Sequence, residues 1–285
     1  MPSLNIIPIL CDLMFVSKMK KLPVNWQQPT GELGKQYPDG FKKSELAVPP
    51  EPLCYFWCAS TNKKHVDSAK EIGKQFKDFA HAMLDAVKFA HDLWRLQAKF
   101  KDLKVMAVCA IGTPGCLDGP ELESNIKNAP TTATFTEKNM KAWRDACAKG
   151  ISKCFADWQG KVMVPGLPWY PAFAAFPGPM GPPMPNIPMP LITCPSPMMA
   201  SITVPMQLAK AMQDNFSLDD PDDQFKALSE SIATPLALAF LMWLPMQQIM
   251  LVMGKGPIPT FAPPYVPVGP VVGGDNIPVP GHLMV

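Results

Sequence analysis

The sequence predicts a mainly α protein, with long amphipathic helices joined by extended Pro-rich segments of polyproline II type and little β structure. Three observations lead there. Apolar residues recur in alternating steps of three and four over long stretches, the spacing of a helix with one buried face. Proline supplies 35 of the 285 residues, more than twice its usual ~5% share, and it breaks helix interiors and sheet ladders alike. Two of the Pro-rich blocks also match each other, so a helix-plus-Pro-rich unit is duplicated within the chain.

Residues 1–60 read as an N-terminal arm with little sustained periodicity. Residues 61–130 follow as a long helix and a Gly/Pro turn. The helix is expected from about Asn62 to Lys104, with the stripe Val66, Ala69, Ile72, Phe76, Phe79, Met83, Val87, Ala90, Trp94; at 1.5 Å per residue it would be roughly 60 Å long. Gly112-Thr-Pro-Gly115 stops it. Residues 131–200 form the first repeat unit. Its helix should begin near Thr134, whose spacing to Glu137 is that of a capping box, and carries Met140, Trp143, Cys147, Ile151, Phe155 and Trp158 on one face. Residues 201–285 form the second unit, with a short helix near 205–215 and a longer one. The longer helix should start at Asp219-Asp-Pro-Asp-Asp223, where carboxylates meet the positive end of the helix dipole, and bury Phe225, Leu228, Ile232, Leu236, Phe240 and Trp243.

The duplication rests on two matches. Pro171–Pro182 (PAFAAFPGPMGP) aligns with Pro259–Pro270 (PTFAPPYVPVGP), and Asn186-Ile-Pro-Met-Pro190 aligns with Asn276-Ile-Pro-Val-Pro280. Each block follows a helix ending in an aromatic step, Phe155-Ala-Asp-Trp158 or Phe240-Leu-Met-Trp243. Phe89-Ala-His-Asp-Leu-Trp94 ends the first long helix in similar style, which marks a degenerate third copy. Between the prolines stand apolar side chains that an extended strip cannot bury by itself. Trp169, Tyr170, Phe173, Phe176, Ile187, Phe261, Tyr265 and Ile277 are therefore candidates for contact with neighbouring subunits. Phe76, Met83, Trp94, Trp143, Trp158, Phe240 and Trp243 are the helix-packing candidates.

Charge is nearly balanced, 26 Lys and Arg against 24 Asp and Glu, so nucleic acid is not an expected partner. Charged residues make up 18% and apolar ones 47%, which argues against intrinsic disorder. Eight cysteines spread over so long a chain do not read as a secreted disulfide framework. No basic stretch precedes the apolar N-terminus, so a secretory leader is not expected. Cys54-x3-Cys58 with His65 is the best metal-ligand cluster, but its spacing lacks the matching second pair of a structural zinc site. His81 and Asp85 are placed to pair on one helix face. No nucleophile elbow, zincin or phosphate-loop motif accompanies them, so no catalytic, cofactor or metal residue is assigned and the chain is not read as an enzyme. Ala233–Met253 holds no charge over a length that can span a bilayer. Pro235 and Pro245 interrupt it, and burial between subunits is the preferred reading over membrane insertion.

Val164-Pro-Gly-Leu-Pro-Trp-Tyr-Pro-Ala-Phe173 and Thr260-Phe-Ala-Pro-Pro-Tyr-Val-Pro-Val-Gly-Pro-Val-Val-Gly-Gly274 resemble segments of structural proteins of phage tails and related contractile injection systems. The resemblance implies a non-enzymatic particle component, present as a homo-oligomer beside other structural proteins. It also implies assembly in the bacterial cytoplasm. It carries no residue roles.

Overall fold

A computed structural model describes residues 3–21, 53–57, 63–169, 180, 183–220, 222–258 and 271–283. Seven α-helices occur among them: α1 (Pro8–Ser17), α2 (Lys63–Gln97), α3 (Leu122–Lys127), α4 (Lys138–Gln159), α5 (Met199–Thr203), α6 (Pro205–Asp214) and α7 (Gln224–Met246). Helix α2 is 35 residues long, about 50 Å, and stops at Gln97 rather than near Lys104. Helix α4 starts at Lys138 with no side-chain cap, so Thr134 does not form the expected capping box. Helix α7 starts at Gln224, where the Asp220 carboxylate accepts the backbone N–H groups of Gln224, Phe225 and Lys226 at 2.7, 3.1 and 3.0 Å.

The expectation of little β structure is wrong. The described residues are 51% helix and 17% strand, and six strands form a curled antiparallel sheet. The strands are β1 (Lys99–Phe100), β2 (Lys104–Ala107), β3 (Cys109–Gly112), β4 (Leu117–Asp118), β5 (Val164–Pro168), β6 (Met184–Pro185), β7 (Met189–Pro190), β8 (Gln248–Ile249), β9 (Met253–Lys255) and β10 (Val271–Asn276). The main sheet runs β5-β3-β2-β10-β9-β6. The sheet curls into a half-barrel, and a bridge between Trp169 and Asn186, with the Ile187 N–H donating to Pro168 O at 2.8 Å, ties its two end strands together at one point. Proline escaped the sequence argument because these strands are short. Pro168, Pro185 and Pro190 sit at strand ends, where a missing donor costs little.

Register exposes an internal threefold arrangement, so that the units are three rather than two: a first built on α2, a second on α4 and a third on α7. Val105 pairs with Ala110, Trp169 with Asn186, and Gly254 with Asn276. Each of these hairpins also pairs with the next unit: Ala110 with Leu167, Pro185 with Met253, Asp275 with Lys104. The helices obey the same rule. Ring centroids of Trp94, Trp158 and Trp243 lie 6.2, 6.1 and 6.1 Å apart. One turn earlier, His91, Phe155 and Phe240 make a second triangle with sides of 6.0, 6.0 and 5.7 Å. Short helices fill the grooves in rotation, α3 between α2 and α4, α6 between α4 and α7, α1 between α7 and α2. Thus the N-terminal segment is part of this core: Leu4, Cys11 and Phe15 are fully buried.

The close approach of α4 and α6 depends on Gly150. A Cβ there would stand 2.6 Å from the Met212 backbone, a contact that only a helix shift can relieve. Gly150→Ala should therefore lower stability by about 1–3 kcal/mol despite its better helix propensity, as read by urea unfolding. An unchanged midpoint would show that α6 yields freely.

Candidate interaction face

Each unit leads from the C-terminus of a long helix through a turn into its first barrel strand, then back through its second. The turns after α2 and α7 are built alike. Asp102 and Leu251 have φ of 55° and 59°, and an asparagine from another unit grips each turn. The Asn276 N–H donates to Leu103 O at 3.3 Å, its Oδ1 accepts the Leu103 N–H at 2.9 Å, and its Nδ2 donates to Phe100 O at 2.8 Å. Asn186 repeats this with Val252 at 3.1 and 3.0 Å and Ile249 O at 2.8 Å. The shared Asn-Ile-Pro phrase is thus a clip between units rather than a surface motif. Ala110-Ile-Gly-Thr-Pro114 occupies the same register in the first unit, with alanine in place of the clip. That third phrase was present in the sequence and was missed because its asparagine is gone.

Strand direction puts the ends of the strands that each hairpin joins at the side of the sheet farthest from the helices. In the first unit the connection is Val108 alone; in the others it contains residues 170–182 and 259–270. Apolar side chains crowd this end: Met106, Val108, Met180 and Val272 are about half exposed. Met180 bridges Pro257, whose carbonyl accepts the Val272 N–H at 3.0 Å.

Trp169 does not belong to that surface. It is 3% exposed, and its indole N–H donates to Met184 O at 2.8 Å. It meets the equivalent residues of the other units inside the barrel, where Gly254 leaves the space that the ring fills. Leu191, Ile258 and Val271 are likewise buried in their own chain, so these strip ends need no outside surface. Ile187 and Ile277, half-buried, follow the clips in equivalent places, as does exposed Ile111. Tyr170, Phe173, Phe176, Phe261 and Tyr265 lie outside the described residues. Among the helix-packing candidates, Met83, Trp94, Trp158, Phe240 and Trp243 are buried. Phe76 and Trp143 are half-buried, with rings 4.9 Å apart.

The polar clusters tie elements together. Asp12, 1% exposed, accepts from the Tyr55 hydroxyl at 2.6 Å and from His81 Nε2 at 2.8 Å, with Lys77 Nζ at 3.0 Å. Burial pushes its pKa up, but these donors outweigh it and hold the carboxyl below its ordinary range. His81 thus joins Asp12 on α1 rather than Asp85. The Cys54 thiol donates to Phe56 O; Cys58 and the His65 side chain lie outside the described residues. No group of three metal-ligating side chains occurs among the described residues. Burial raises the pKa of the Cys11 and Cys194 thiols to about 12, and of Cys116 and Cys154 to about 11. Such thiols are poor nucleophiles.

Helix α7 is long and apolar enough to cross a membrane, yet 72% of its most apolar window is buried inside this chain. Its outer stripe of Leu238, Leu241, Met242 and Met246 stays exposed. An open cleft of about 560 Å³ lies between α1, α6 and α7, lined by Met14, Lys18, Met206, Lys210 and Glu230. No protein-family model, curated protein or solved structure matches this chain.

Proposed function

We propose that this chain is a non-enzymatic structural component of a multi-subunit particle of the phage-tail or contractile-injection kind. It would meet its neighbours at the barrel end marked by Met106, Val108, Met180 and Val272. The observation behind this reading is the threefold construction of a single chain, with the far strand ends of its three hairpins gathered on one side. A trimer-like end formed by one polypeptide suits the axis of a homotrimeric neighbour, one copy per axis, in place of the homo-oligomer that the resemblance implies. The half-exposed Met106, Val108, Met180 and Val272 supply an apolar centre for such a contact, of the kind that marks interfaces. Native mass spectrometry of complexes recovered with a tagged chain from its own particle should find one copy bound to three of a neighbour. Recovery of the chain alone, or in equal numbers with its neighbour, would count against it.

A second reading, membrane attachment through residues 233–253, draws on the exposed α7 stripe. Flotation with phospholipid vesicles separates the two. The particle reading expects the protein to stay with the unbound fraction. Flotation abolished by Leu241→Lys with Met242→Lys would favour the membrane.

A further inference from the structure

We infer that the junction between the first and third units is an acid-labile seam, which opens in mildly acidic solution before the other two junctions because two buried histidines lie across it. His91 belongs to the first unit. Its ring packs 4.5 Å from Trp243 and 6.0 Å from Phe240 of the third unit, and 6.0 Å from Phe155 of the second. Neither ring nitrogen has a partner among the described residues, and the other two units place phenylalanine at this position. His282 belongs to the third unit and reaches back to the first. Its Nδ1 accepts the Phe100 N–H at 2.8 Å, beside the Asn276 clip on Phe100 O. A proton on Nδ1 destroys that bond.

Among the described residues no carboxylate rewards protonation at either ring. On His91 the acting charge is Arg95 of its own helix, which opposes a second positive charge, while the faces from α4 and α7 are aromatic. Burial alone acts on His282. Burial, helped by Arg95, lowers the His91 pKa to about 3, and burial lowers that of His282 to about 4. Both lie below the value near 6.5 of an exposed imidazole. The open form therefore takes up protons first, and the closed seam weakens as pH falls from about 6.5 toward these lower values. At pH 5 each histidine should raise the opening constant about 30-fold. The exposed Lys104–Asp275 pair also crosses the seam. The strand pairs of the other junctions, β5 with β3 and β6 with β9, contain no histidine among the described residues, and His91 stands closer to Trp243 of the third unit, at 4.5 Å, than to Phe155 of the second, at 6.0 Å.

Hydrogen exchange of the full chain at pH 7.5 and 5.0, corrected for intrinsic rates, tests this. Residues 100–107 and 271–277 should lose protection at least 30-fold more than residues 109–112 and 164–168. His91→Phe and His282→Asn should each remove part of that difference, and together they should abolish it. Equal loss at all junctions, no loss at pH 5.0, or an unchanged difference in the double variant would overturn the proposal. The wild-type comparison decides by itself if a variant fails to fold.

Discussion

Trp169→Ala is expected to destabilise the isolated chain by roughly 3–5 kcal/mol, the cost of deleting a large aromatic from a packed interior. The indole fills the barrel beside Val105 and Gly254 and donates to the Met184 carbonyl, so truncation leaves a cavity and loses that hydrogen bond. The converse change has the same origin. A Cβ at Gly254 would stand 3.1 Å from the indole and 3.0 Å from a Val105 methyl, so Gly254→Val should cost about 1–3 kcal/mol by overpacking. In the Trp169→Ala background that second change should cost less, because the indole contacts are gone and only the Val105 methyl must give way. Denaturant unfolding of the four proteins gives the coupling. Additive effects would remove Trp169 from the barrel interior and return it to the outside contact suggested by the Pro-rich strip.

Asn276→Ala should cost about 2–5 kcal/mol, since it strands the buried Leu103 N–H and Phe100 C=O, each worth ~1–3 kcal/mol when unpaired. Asn186→Ala should match it within about 1 kcal/mol, because Val252 and Ile249 lose the same partners at nearly the same distances. The comparison is sharper than either value. Two asparagines far apart in sequence should behave as one site measured twice. A near-neutral result at one position only would show that the two turns are not held alike.

Helix positions were legible from spacing. The steps from Val66 to Trp94, Phe155 to Trp158 and Phe240 to Trp243 mark the faces that the structure buries. Boundaries were less so, because Asp220 rather than Asp219 or Asp222 caps α7 and Thr134 caps nothing. The strands escaped for a physical reason. A β-strand two to six residues long that includes proline has no alternation long enough to read. Its pairing is decided by residues that stand far off in the chain.

Taken alone, the sequence determined the amphipathic helices, the aromatic steps at their ends and the repeated Asn-Ile-Pro phrase, all of which are local patterns of spacing or identity. Only the tertiary structure decided what the phrase does and how many units there are. Clip partners such as Asn276 and Leu103, or Asn186 and Val252, belong to different units, and a pairing across units leaves no periodic trace. The same holds for Trp169 and Gly254. One unit's large side chain fits because another unit has none, so neither residue alone shows that the ring points inward.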